Sequence, residues 1–108
     1  MLAIMVSLDE KRLTSQEYVQ TLRDRIAAHN PALNAVLCLN EGASREAERR
    51  DKLRSKGKLS GPLHGIPMLI KDNLDVAGIP TTGATPSLRG NVPAKDTESV
   101  KVCRGVLP

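Results

Sequence analysis

The run Gly61-Pro62-Leu63-His64-Gly65-Ile66-Pro67-Met68-Leu69-Ile70-Lys71-Asp72-Asn73 constrains this chain more than any other. A glycine-bracketed turn leads into residues 66–70, which are apolar without alternation, the pattern of a strand buried on both faces. Pro67 stands near its start, where a missing amide is tolerated. Lys71 is set where that strand should end. Desolvating an ammonium is costly. Where a protein does bury one, its pKa falls and a general base becomes available near neutral pH. The residues alone leave Lys71 open between two roles. It is either a strand-end lysine snorkelling into solvent, or a base in the crevice outside the carboxyl end of a strand. Asp72 and Asn73 add two polar side chains that could orient the amine.

Upstream, Thr14-Ser15-Gln16-Glu17 is a capping-box pattern, and Val19, Leu22 and Ile26 recur at helical spacing behind it. The predicted helix covers residues 15–29 and stops at Asn30-Pro31, since the residue before proline leaves the helical region. Ala35-Val36-Leu37-Cys38-Leu39 suits a short buried strand, with Cys38 as a small core residue. Asn40 then caps a second helix reaching Lys56, with Gly57 as the stop. Glu41/Arg45, Glu46/Arg50 and Glu48/Lys52 are spaced i,i+4 with the acid first. With little apolar content, this second helix is expected on a surface. Asp96-Thr97-Glu98 can open a further helix.

Composition narrows the possibilities. The 108 residues include one aromatic, Tyr18, so Leu, Ile, Val, Met and Ala must carry the packing. This is one domain or a piece of one, and not a comfortably stable unit by itself. The net charge of +4 is mild and sits largely between Arg45 and Lys58. That basic stretch lacks aromatic stacking residues and is interleaved with acids, so it reads as a solvated helix face and nucleic acid is not the expected partner. Cys38 and Cys103 form no close-spaced metal or redox pattern. The opening apolar residues are too few for a signal sequence, and no stretch approaches a membrane span. A cytoplasmic protein is expected.

The lysine run resembles the lysine-bearing segment of the amidase signature family of serine hydrolases. Leu13-Thr14-Ser15, Asn30-Pro31-Ala32-Leu33-Asn34-Ala35-Val36, Gly78-Ile79-Pro80-Thr81-Thr82-Gly83 and Val92-Pro93-Ala94-Lys95-Asp96 also sit where that family has similar residues. The likeness covers residues 10–100, and residues 101–108 depart from it. It implies an α/β fold, of which residues 1–108 would form a partial N-terminal portion: two helices, then the first strands of a mixed sheet. It implies hydrolysis of a carboxamide C–N bond in a small-molecule amide, without metal or organic cofactor. By position, Lys71 is the general base of a Ser–cis-Ser–Lys triad, with Asp72 and Asn73 in support. His64 is then a turn residue beside Gly65, not the base.

The family's two serines lie in a Gly/Ser-rich loop, and this sequence has no such segment. Ser87 and Ser99 have no adjacent glycine and Ser60 has only Gly61, so none has the surrounding glycines that a strained serine loop and its oxyanion donors need. The expectation is therefore a chain inactive alone. Its partner would be an intact homologue or the complementary segment, which unpaired strand edges would favour. A truncated gene product without its own function is the other reading.

Overall fold

The computed structural model describes residues 1–105. Val106-Leu107-Pro108, the last of the stretch expected to depart from the family, lie outside the described residues. The chain divides into two compact units, Met1–Pro67 and Met68–Pro108.

The first unit holds α1 (Leu2–Asp9), α2 (Ser15–Leu33) and α3 (Ala43–Ser55). Thr14 opens α2 as its sequence predicts. The Thr14 hydroxyl accepts the Glu17 amide at 3.1 Å, and the Glu17 carboxylate accepts the Thr14 amide at 2.8 Å. That box leaves the amides of Ser15 and Gln16. Asp51, on α3, takes both, at 2.8 and 3.1 Å. Every free N–H at this helix start is thereby satisfied, two of them from another helix.

The far end of α2 corrects the sequence reading. The helix does not stop at Asn30 but continues through Pro31 to Leu33. Proline costs an amide and crowds the preceding turn, yet here the loss falls in the last turn, where little helix remains to disturb. Asn34 then turns left-handed at φ 49°, and its N–H donates to the Asn30 carbonyl at 2.8 Å. The Asn30 side chain holds the exit, accepting from Ala35 and Val36 at 2.9 and 2.8 Å and donating to the Val36 carbonyl at 2.8 Å. Asparagine here is an exit clamp rather than a stop.

Helix α3 starts later than predicted, after Gly42. Asn40 acts one step earlier, its side chain accepting the Gly42 amide at 2.9 Å. Gly57, at φ 68°, follows the helix end as expected. Of the three predicted ion pairs, Glu46–Arg50 and Glu48–Lys52 form, at 2.8 and 2.6 Å. Glu41 instead approaches Arg23 of α2 at 3.5 Å. The face carrying Ala47, Arg50, Asp51 and Arg54 is not solvated, contrary to expectation. Ala47 is buried, and the Arg50 and Arg54 side chains are each 15% exposed. These positions follow i, i+3, i+4, i+7 spacing, so one helix face serves as the unit's polar joint.

One consequence is a stability dependence on acid. The hydrogen bond from Arg49, reinforced by Arg50, outweighs partial burial and holds the Glu46 carboxyl at about 2, below its ordinary value of 4.5. A depressed carboxylate pKa contributes stability that is fully present above the unfolded value and lost as pH falls through the folded one. Glu46→Gln should therefore flatten the acid limb between pH 4.5 and pH 2. Urea midpoints measured across that window check it; parallel acid limbs for both proteins would count against it.

Neither predicted strand forms. A strand exists only beside a hydrogen-bonded neighbour, and no ladder is present among the described residues. Residues 35–39 and 66–70 have no regular secondary structure; Val36, Ile66, Pro67 and Ile70 are half-buried and the rest exposed. Leu37 is 73% and Leu69 77% exposed, and Cys38, expected in the core, is exposed as well.

The second unit packs Val76, Thr81 and Val100 inside. Its chain doubles back through three bonds: Gly78 amide to Pro93 carbonyl at 2.9 Å, Thr81 amide to Asn91 carbonyl at 3.0 Å, and the Asn91 side chain to the Thr81 carbonyl at 3.0 Å. Asp96 accepts the Ala77 amide at 2.7 Å and pairs with Arg104 at 3.1 Å. The helix expected after Thr97 is α4 (Glu98–Cys103). No helix among the described residues is long and apolar enough to cross a membrane.

Candidate active site

The lysine run is built in two halves. Its turn half belongs to the first unit. The His64 amide donates to the Gly61 carbonyl at 3.1 Å and the Ile66 amide to the Leu63 carbonyl at 3.0 Å. His64 is 4% exposed and fully engaged: Nδ1 accepts the Ser60 amide at 3.1 Å, and Nε2 donates to the Arg50 carbonyl at 2.8 Å. The amide donor settles the tautomer, because Nδ1 must offer a lone pair to it. The Ser60 hydroxyl lies 2.9 Å from the same nitrogen. Both ring nitrogens serve the turn, in keeping with a structural histidine.

Gly65 follows at φ 79°, a conformation that L side chains rarely adopt. A Cβ there would lie 2.1 Å from the Ser15 hydroxyl oxygen, so the turn rests directly on the start of α2. Arg54 closes the arrangement, donating to the His64 carbonyl at 2.6 Å and pairing with Asp9 of α1. A cavity of about 110 Å³ lies beside it, lined by Met5, Leu59, Pro62 and Ile66 with Arg54 and His64.

The lysine half belongs to the second unit. Lys71 is exposed, at the end of the apolar run. Its carbonyl accepts the Leu74 amide at 3.0 Å, which turns the chain just past it. The desolvation expected of a strand-end base is therefore not supplied by the described residues. Asp72 is bound closely. Oδ1 accepts the Thr82 amide at 2.9 Å, Oδ2 accepts the Thr82 hydroxyl at 2.5 Å, and the Asp72 carbonyl accepts the Gly83 amide at 2.7 Å. The Thr82 hydroxyl and then its amide hold the Asp72 carboxyl below the usual aspartate value. Asn73 is exposed, and its side chain makes no hydrogen bond among the described residues.

The sequence sets Lys71, Asp72 and Asn73 at a strand end; the structure places them in a turn closed by the Leu74 amide on the Lys71 carbonyl. The sequence missed Thr82 as the partner of Asp72, ten residues on, Arg54 as a support of the 60–65 turn, and Asp51 as the acceptor at the start of α2 on which that turn rests. Pairing over such separations leaves no periodic signal.

Comparison with known proteins adds the family. A family model described as Amidase matches residues 17–105. A glutamyl-tRNA(Gln) amidotransferase subunit from Staphylococcus carnosus (strain TM300) is 38% identical over 87 residues, which are 80% of this chain and 18% of that protein. Its counterpart from Staphylococcus aureus (strain Newman) is 34% identical over 91 residues, 83% of this chain and 19% of that one. Among solved structures, native peptide amidase from Stenotrophomonas maltophilia superposes with a TM-score of 0.89 at 38% identity, over 95% of this chain and 22% of that one. A peptide amidase bound to the competitive inhibitor chymostatin gives a TM-score of 0.87 at the same identity, over 94% of this chain and 21% of that one. The chain spans about a fifth of the length of these relatives. The family model covers most of its residues, and the solved relatives share both its fold and more than a third of its sequence. The chain belongs to the amidase family.

Proposed function

We propose that residues 61–73 are the lysine limb of a carboxamide-hydrolysing site, with Lys71 as general base of a Ser–cis-Ser–Lys triad. The observation that carries this reading is local. Within a chain of the amidase family, Lys71 ends an apolar run and is followed at once by a turn fastened through Asp72. In the reaction, the neutral amine takes a proton through the bridging serine while the nucleophilic serine attacks the amide carbonyl. Backbone amides then stabilise the oxyanion. Asp72 and Asn73 support the lysine. No metal or organic cofactor is needed.

Both serines must come from outside these residues, because Ser60, Ser87 and Ser99 lack the glycine-rich setting of such a loop. The 108 residues alone are accordingly inactive. The partner we propose is the serine-bearing part of an amidase-family protein. The uncovered leucines, Leu37 and Leu69, and the unladdered backbone around them favour it, since unladdered apolar segments gain most from a neighbouring strand.

The test is complementation. The chain is mixed with a serine-bearing segment from a relative, and hydrolysis of simple carboxamides is followed. Neither part alone should be active, the mixture should be, and Lys71→Ala in the chain should abolish the gain. Hydrolysis by the chain alone would sink the proposal. So would a mixture whose activity survives Lys71→Ala.

A further inference from the structure

We propose that Asp72 is a positioning residue for Lys71: its carboxylate clasps the turn at residues 82–84, fixing the backbone on which the amine stands and keeping the carboxylate itself off that amine. The proposal rests on Lys71 being the base, and the experiments below separate the two.

The clasp is two-sided. The Asp72 side chain accepts from the Thr82 amide at 2.9 Å, the Thr82 hydroxyl at 2.5 Å and, at the long end of the range, the Ala84 amide at 3.4 Å. Its main chain accepts from the Gly83 amide at 2.7 Å. One residue thus gathers the amides of Thr82, Gly83 and Ala84. Within the same turn, the Leu74 amide closes back on the Lys71 carbonyl at 3.0 Å. The peptide between Lys71 and Asp72 is bonded through its carbonyl, and Asp72 just after it is fastened to the 82–84 turn.

The turn being held is itself under strain. Gly83 and Ala84 both have φ of 57°. For alanine that conformation is disfavoured, because Cβ crowds the following carbonyl. Two acceptors face that turn: the Thr82 hydroxyl oxygen takes the Ala84 amide at 3.2 Å, and the Asp72 carboxylate, 3.4 Å from the same amide, holds that hydroxyl in turn. Bonds to a charged acceptor are the stronger kind, which suits the task.

The second consequence is electrostatic. A carboxylate paired with an amine favours the protonated amine, the wrong state for a general base. Asp72 is the immediate neighbour of Lys71, yet it forms no ion pair among the described residues. Its lone pairs go to neutral donors of the 82–84 turn instead. The clasp thus does two things for the base: it places the amine and leaves it unpaired.

The test uses the 108-residue chain and two variants, Asp72→Asn and Asp72→Ala. Amide exchange at Thr82, Gly83 and Ala84 reads the turn, and NMR relaxation at the Lys71 amide and terminal methylene reads the lysine. Asp72→Ala should raise exchange at Thr82 and Ala84 at least tenfold and mobilise Lys71. Asp72→Asn keeps one acceptor oxygen, so it should restore exchange protection at Thr82 and much of the order at Lys71. A loosened turn with Lys71 relaxation unchanged would overturn the proposal, leaving Asp72 as a loop residue only. Equal behaviour of the two variants would do the same. The complementation test distinguishes the other failure: activity that survives Lys71→Ala removes the base but leaves these relaxation results standing.

Discussion

Gly65→Ala is expected to destabilise the first unit by about 2–5 kcal/mol, combining a left-handed backbone with overpacking. Two separate costs meet at this position. At φ 79°, any L side chain is strained. The new methyl carbon would also sit 2.1 Å from the Ser15 hydroxyl oxygen and 3.3 Å from the Ser15 Cβ. Ser15 is wholly buried at the start of α2. Gly57 provides the control, because its φ is 68° and nothing lies within 4 Å of a Cβ there. Gly57→Ala should cost only the backbone part, about 1–2 kcal/mol.

The steric share can be isolated. The Ser15 hydroxyl is buried without a hydrogen-bond partner, so Ser15→Ala removes an unsatisfied group and should be neutral or mildly stabilising. Combined with Gly65→Ala, it deletes the atom at 2.1 Å and leaves the Cβ contact at 3.3 Å. The double variant should recover a large part of the loss, as expected for residues in direct contact. Urea midpoints for the four proteins complete the cycle. If Gly65→Ala is no worse than Gly57→Ala, or if the two losses simply add, the close packing of this turn on α2 is refuted.

The same residues show what the sequence could and could not disclose. The capping box was legible because Thr14 and Glu17 bond within one helical turn, where spacing is itself geometry. The stop at Gly57 was legible for the same reason. The glycine bracket at Gly61 and Gly65 was visible as a turn, but not its need for glycine, which depends on the distant Ser15. The inner face of α3 was misread because its residues are polar. A hydrophobicity pattern marks Arg50, Asp51 and Arg54 as solvated, whereas they are half-buried partners of α1, α2 and the 60–65 turn. Both strands were read from apolar runs, and such runs signal burial that a sheet must supply. Residues 35–39 and 66–70 have no ladder partner among the described residues, so the pattern is present without the structure. Lys71 and Asp72 stand out from the run itself and take their expected roles from the resemblance; the Thr82 clasp leaves no such mark, since a bond across ten residues of loop follows no period.

Asp51→Ala should be the second large loss, about 2–3 kcal/mol from removing two bonds to a charged acceptor and a negative charge at a helix start. The Ser15 amide is part-buried, so water cannot fully replace the lost oxygen there. The Gln16 amide is exposed, and its share should be smaller because solvent can substitute. Helix propensity acts in the opposite direction, since alanine is better than aspartate within α3 by about half a kcal/mol. The measured loss therefore understates the cap. Asp51→Asn keeps the shape and one acceptor but drops the charge and turns an NH₂ toward the other amide. It should fall between wild type and Asp51→Ala. Hydrogen exchange localises the effect: the Ser15 and Gln16 amides should lose protection, while Thr14 and Glu17, held by their own box, should not. Loss of protection at all four amides alike would mean that Asp51 matters only through global stability. An unchanged urea midpoint would mean that α2 does not depend on α3 for its start.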